Sequence, residues 1–143
     1  MTRPIRIAPV VVVSLCVWAA ITIAASAAEQ PPPELTKTVN DFAGVVDAAS
    51  AQQIDMVIRS LQQASGDVVV VAVVDTFAPY GDIDEYAVKM FENRGRGIGQ
   101  KGRDNGLLIV AALKERKIKI EVGYDLEQFI TDGFAGETSR MMA

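Results

Sequence analysis

Histidine is absent from this 143-residue chain. That removes the commonest general base near neutral pH and the commonest metal ligand. Cysteine occurs once, at Cys16, so a disulfide framework, a zinc knuckle and a Cys–His nucleophile are excluded together. Positive charge is also scarce: 14 basic residues stand against 18 acidic ones, for a net charge of -4. Nucleic-acid-binding domains carry the opposite balance, so no nucleic-acid partner is expected. What is left for chemistry is oxygen, supplied by carboxylates, hydroxyls, amides and backbone carbonyls.

Charge is missing altogether between Ile7 and Ala28. Arg3 and Arg6 precede this stretch, its middle is the apolar run Val10–Trp18, and Ala24-Ala25-Ser26-Ala27-Ala28 closes it. Basic, apolar and small-residue regions in that order predict a secretory signal over residues 1–28, cleaved after Ala27 or Ala28. Twenty-two uncharged residues can also span a bilayer, so an uncleaved N-terminal anchor is the alternative. Leu15 is too bulky for Cys16 to be a lipidation site. Either outcome places the chain outside the cytoplasm, in the periplasm or at the outer face of the inner membrane. Cleavage would leave 12 basic and 18 acidic residues, a net of -6, on about 115 residues. A chain of that length can bury one core without staples.

Residues 29–38, with Pro31-Pro32-Pro33, read as a stiff spacer. Asp47 is placed to cap a helix running to Ser65, with Ile54, Val57, Ile58 and Leu61 at helical spacing and Gly66 as its stop. Val68–Val74 is an apolar, β-branched run, the pattern of a strand buried on both faces. Asp82 and Glu85 have capping-box spacing for a second helix, whose inner stripe is Ile83, Ala87, Met90 and Phe91. A glycine-rich loop follows, then an apolar strand from Leu107 to Leu113. Arg116–Val122 alternates as a half-exposed strand hairpinned to it. Leu126–Ile130 and Phe134–Met142 read as helical pieces.

This order predicts an α/β fold: an α/β/α sandwich on a small mixed sheet, with a parallel pair plus an antiparallel hairpin strand. Strand directions then sort the polar residues. Asp75 and Lys114 fall at one sheet edge. Asp104, Asn105 and Asp125 fall at the other, with Asp132 close behind in sequence. Hard cations such as Ca2+ or Mg2+ take such oxygens without histidine, so Asp104, Asn105, Asp125 and Asp132 are candidate metal ligands. The plainer alternative is a turn at Asn105-Gly106 and a helix cap at Asp132.

Gly97-x-Gly99-x-x-Gly102 matches the dinucleotide fingerprint by letter but leaves a helix and opens a strand, the reverse of what phosphate binding needs. No nucleotide, haem or zinc is expected. Arg94, Arg96, Lys101 and Arg103 could attract an anion to this loop. Ser50, Ser60 and Ser65 have no histidine to activate them, so no nucleophile stands out and the catalytic residues are unknown.

The chain resembles the TPM-domain family. The likeness runs through Val39-Asn40-Asp41-Phe42-Ala43-Gly44-Val45, Asp84-Glu85-Tyr86-Ala87, Lys101-Gly102-Arg103-Asp104-Asn105-Gly106-Leu107-Leu108 and Glu121-Val122-Gly123-Tyr124 to Thr131-Asp132. The resemblance implies an exported, often membrane-tethered α/β/α domain over residues 39–143. It implies either an accessory or binding module working with an unidentified protein partner or membrane complex, or an acid phosphatase-like hydrolase. It also implies divalent-cation binding, carried most naturally to Asp104 and Asp132, with Asp41 added. Asp125 stands where the family usually has glycine, and Arg94 replaces a frequent tryptophan. Family members continue past Ala143, so the domain is expected to be incomplete at its C-terminus, leaving part of the sheet without helical cover.

Overall fold

The computed structural model describes residues 30–143. The expected signal or anchor over residues 1–28 lies outside them. Among the described residues no helix is long and apolar enough to cross a membrane.

Seven main elements follow in order: β1 (Val39–Asp41), α1 (Ala48–Ser65), β2 (Val68–Val74), α2 (Ile83–Glu92), β3 (Gly106–Ala112), β4 (Lys117–Val122) and α3 (Asp132–Met142). The sheet order is β1-β2-β3-β4. β1, β2 and β3 are parallel and β4 is antiparallel to β3. The expected mixed sheet is therefore present, widened by β1. That strand is three residues long and has no apolar period to announce it, because Asn40 and Asp41 fill two of its positions.

The helices begin where the caps are. Asp47 accepts from Ser50 N at 3.0 Å and Asp82 from Glu85 N at 2.8 Å, each satisfying an amide that the first turn leaves open. Gly66 ends α1 in the left-handed region, and its N–H reaches the Gln62 carbonyl. The last helix opens at Asp132, two residues before the expected Phe134, because Thr131 takes the cap by accepting from Phe134 N. Leu126–Ile130 is a 3-10 turn over Tyr124–Leu126 followed by a further turn, too short to be a regular helix.

Alternation along the strands divides the core. Val70, Ala72, Val74, Leu108, Val110 and Ala112 meet Ile83, Tyr86, Ala87 and Met90 of α2. On the opposite face Leu107 and Ile120 pack with Ala135 of α3, and α1 covers Val71. The layers are thus α2, the sheet, and α1 with α3. The two faces are unequally covered. Leu108 and Val110 are wholly buried, whereas Val69, Val71 and Ile109 on the α1 side stay half-buried.

The segment read as a spacer is a strap seated on the α2 face. Pro32 and Leu35 are buried, and Leu35 belongs to the main core. Asn93 holds it with both ends of its amide: Leu35 N donates to Asn93 Oδ1 at 3.0 Å, and Asn93 Nδ2 donates to the Leu35 carbonyl at 3.2 Å. Glu34 adds ion pairs to Arg94 and Arg96.

Candidate functional site

The two edges inferred from strand direction are both present. Lys114 N donates to the Asp75 carbonyl at 2.9 Å at one end. At the other, Asp125 N donates to the Asp104 carbonyl at 3.1 Å and Gly123 N to the Gly106 carbonyl at 2.8 Å. The backbone approach there is so close that a Cβ on Gly123 would lie 2.2 Å from the Asp104 oxygen.

The five candidate ligands do not converge on one point. Asp104 and Asp125 are brought together through their backbones. Asn105 is fully buried, and its amide is consumed by the fold: Oδ1 accepts from Gln100 N at 2.9 Å, while Nδ2 donates to the Gly66 carbonyl at 2.9 Å and to Asp67 Oδ1 at 3.3 Å. Asp132 opens α3, and its charge acts on Lys119 and Glu121 of β4. Asp41 lies at the opposite end of the sheet. It pairs with Val73, whereas Gly106, just after Asp104, pairs with Val68. Five strand residues separate the two levels, on the order of 16 Å. The Asp41 carboxylate accepts from Gly44 N at 2.8 Å and Val46 N at 2.7 Å, and these bonds hold its pKa below the usual carboxylate value. Among the described residues no three acidic side chains stand close enough to share an ion. The five residues do not fit a single Ca2+ or Mg2+ cage, which needs six or more oxygens around one centre.

The basic loop is also largely engaged. Arg94 and Arg96 are turned to Glu34, and Arg103 lies 4.0 Å from the Asp125 carboxylate. An anion at these three arginines would have to displace the carboxylates, whereas Lys101 is exposed and, among the described residues, in no ion pair.

A family model for the TPM domain matches residues 39–143. The chain belongs to the TPM domain family. Two solved structures share the fold of this TPM chain. One is the N-terminal domain of a P. gingivalis protein, solved by NMR, at TM-score 0.62 and 24% identity over 71% of this chain and 63% of that one. The other is the N-terminal domain of a Corynebacterium glutamicum protein, also solved by NMR, at TM-score 0.55 and 19% identity over 79% and 74%. The match to the first thus spans a little under two thirds of that solved chain. No curated protein matches.

Two features of the TPM chain were hidden in its sequence. The first is a mixed-charge group on the α2 side of β4. Lys119 Nζ lies 2.6 Å from Asp84 Oδ1 at the start of α2. Burial pushes the Glu121 carboxyl up, and Asp84, Asp132 and Glu127 push it further against the pull of Lys119. Alternation put Lys119 and Glu121 on one face, but only the fold brings Asp84 to it. The second feature is an apolar groove between α1 and the sheet. Val57 and Leu61 form its wall, and Val69, Val71 and Ile109 its floor. The helical spacing of Val57 and Leu61 pointed inward, yet they remain 70% and 46% exposed.

Proposed function

We propose that this TPM chain is exported and acts outside the cytoplasm as an accessory module, working by binding rather than by turnover. The observation that carries the reading is the groove beside α1: an open, apolar surface with no charged side chain in its lining. Contiguous exposed apolar surface of this kind is characteristic of contact with other macromolecules. The polar sheet edges offer less, because Asn105, Asp41, Arg94 and Arg96 already hold the chain itself together.

Arg103 beside Asp125 at the Asp104 edge favours the second reading, a phosphatase-like hydrolase, because a guanidinium can hold phosphate oxygens. That reading still needs a nucleophile or general base, and neither role has a candidate here.

The decisive experiment is a phosphatase assay on the purified chain, titrated with Ca2+ and Mg2+, beside Asp104→Asn. The binding-module reading expects no turnover above blank. Metal-dependent turnover lost in Asp104→Asn would replace it with the hydrolase. Export is checked separately by N-terminal sequencing of protein from the extracytoplasmic fraction. The expected start is Ala28 or Glu29; intact Met1 on membrane-bound protein would indicate an anchor.

A further inference from the structure

The strap on the α2 face is held as a bound peptide is held. Pro32 and Leu35 are buried, Pro31 is exposed, and Pro33 and Glu34 are half-buried. Buried positions three apart match the three-residue turn of a polyproline II helix, which successive prolines favour. Such a helix makes no internal hydrogen bonds, so its carbonyls take donors from outside. Here the donors are side chains. Tyr80 Oη donates to the Gln30 carbonyl at 3.2 Å, and Asn93 Nδ2 to the Leu35 carbonyl at 3.2 Å. Residues 30–35 precede β1 in the chain and lie outside the sheet.

The seat recognises the strap at three successive places. Tyr80 and Tyr86, edge to face with ring centroids 5.2 Å apart, line one side of the prolines together with Phe42. Met90 and Asn93 line the other side. Aromatic rings combined with side-chain donors are a recurrent means of holding proline-rich chains. Next along the strap, Arg94 and Arg96 converge on Glu34, and Leu35 then enters the main core. Asn93 and Arg94 present their side chains from φ 41° and 57°, a left-handed backbone uncommon outside glycine. The seat thus reads proline, an acid and an aliphatic side chain, in that order. It is also roomier than its occupant: cavities of about 230 and 290 Å3 flank the three prolines.

We propose that this seat is a peptide-binding site for an extended Pro-Pro-Pro-acid-Leu segment of another protein, which the chain's own strap occupies until it is displaced. The seated strap shows the ligand chemistry that fits. Because it lies outside the sheet, it can leave without breaking a strand pair. A tethered ligand acts at an effective concentration of about 1 mM, so a free peptide competes poorly until the strap is weakened. The site is on the α2 face, opposite the groove beside α1. It goes beyond the binding role proposed above, and either can fail alone.

Fluorescence anisotropy with a labelled peptide of the sequence of residues 30–36 tests the proposal on the purified full chain. Glu34→Ala/Leu35→Ala weakens the strap and leaves the seat unchanged, so it should bind the peptide about tenfold more tightly than wild type, or better. Adding Asn93→Gly should abolish that gain. A peptide with Lys in place of its Glu should lose it too, since Arg94 and Arg96 face that position. Pro32→Ala/Glu34→Ala keeps Leu35 in the core and replaces the first variant if thermal melts show that one unfolded. Wild type supplies a readout without mutation. Millimolar peptide should trap the open strap and speed hydrogen exchange at the Leu35 amide severalfold. No binding by a folded strap variant at about 1 mM peptide overturns the proposal. So does binding indifferent to Asn93→Gly or to the charge of the peptide, and so does unchanged Leu35 exchange. Strap-dependent dimers of wild type in sedimentation equilibrium also overturn it, assigning the seat to exchange of straps between copies.

Discussion

Asn105 donates from its side-chain amide to the carbonyl of Gly66 at 2.9 Å, joining the residue before β3 to the residue that ends α1. The same amide holds the Gln100 N–H of the glycine-rich loop and reaches Asp67. Three separate segments therefore meet on one buried side chain. This accounts for Asn105 as a structural residue and removes it from the candidate cation ligands.

Asn105→Ala should cost about 2–4 kcal/mol, since it empties a fully buried site and takes the partner from both the Gly66 carbonyl and the Gln100 N–H. Asn105→Asp should be no milder, because it keeps the acceptor, loses the donor and sets a carboxylate against Asp67. Urea melts measure both. A midpoint within error of wild type for Asn105→Asp would mean that the amide is not the tie described.

Two glycines at the same edge are needed for space, not for backbone freedom. A Cβ on Gly106 would lie 1.9 Å from the Ile98 carbonyl oxygen, and one on Gly123 would lie 2.2 Å from that of Asp104. Gly106→Ala and Gly123→Ala should each destabilise by more than about 3 kcal/mol, as backbone must move against backbone. Gly102→Ala is the control. Gly102 has φ +80° with open space around it, so it should lose only about 1 kcal/mol. Equal losses at all three positions would refute the steric account.

What the sequence disclosed follows from local rules. Asp47 and Asp82 mark helix starts because a side chain three residues from an open amide is a purely local event. Strand directions, fixed by the order of elements, correctly set Asp75 with Lys114 and Asp104 with Asp125. Asp41 joined the candidate ligands through the family resemblance alone; β1 is too short to show a period, so the sequence held no reference for its level in the sheet, which is the end opposite Asp104. The Pro31–Leu35 strap was hidden for a related reason. Its burial depends on Asn93, 58 residues away from Leu35, and no composition rule encodes that distance. The half-open face was legible only in outline, from two apolar strands requiring more helical cover than the visible helices promised.

The strap makes its own prediction. Asn93 sits at φ 41°, a conformation glycine accepts without strain. Asn93→Gly therefore removes the clamp on Leu35 while sparing the turn. Two lost hydrogen bonds at about 0.5–1.5 kcal/mol each should speed hydrogen exchange at the Leu35 amide about tenfold or more. Amides in β3 should be slowed or quickened far less. Uniform acceleration across the domain would mean that the strap opens only with global unfolding.

Glu121 sets the direction of a pH effect. Burial first, then the charges of Asp84, Asp132 and Glu127, raise its pKa above the ordinary 4.5, with Lys119 opposing them. The folded state thus binds this proton more tightly than the unfolded state. The associated stability is fully present below the ordinary value and is lost as pH rises through the raised one. Asp47 behaves oppositely. Its hydrogen bonds with Ser50 lower its pKa, so its contribution is present above the ordinary 3.8 and lost as pH falls through the folded value. Glu121→Gln removes the first effect alone. It should match wild type near pH 3.5, where Glu121 is protonated, and become the more stable protein as pH rises toward about 7. Lys119 is the counterweight. Burial lowers its pKa, but the hydrogen bond to Asp84 and the charges of Asp84, Glu121 and Asp132 carry it above the ordinary 10.5. In a Lys119→Gln background nothing offsets the acids, so the gain from Glu121→Gln should be larger still. Urea midpoints measured across this pH range on the four proteins of the cycle give the answer. A gain that shrinks as pH rises, or that is smaller without Lys119, would show that Glu121 does not feel the charge group on β4.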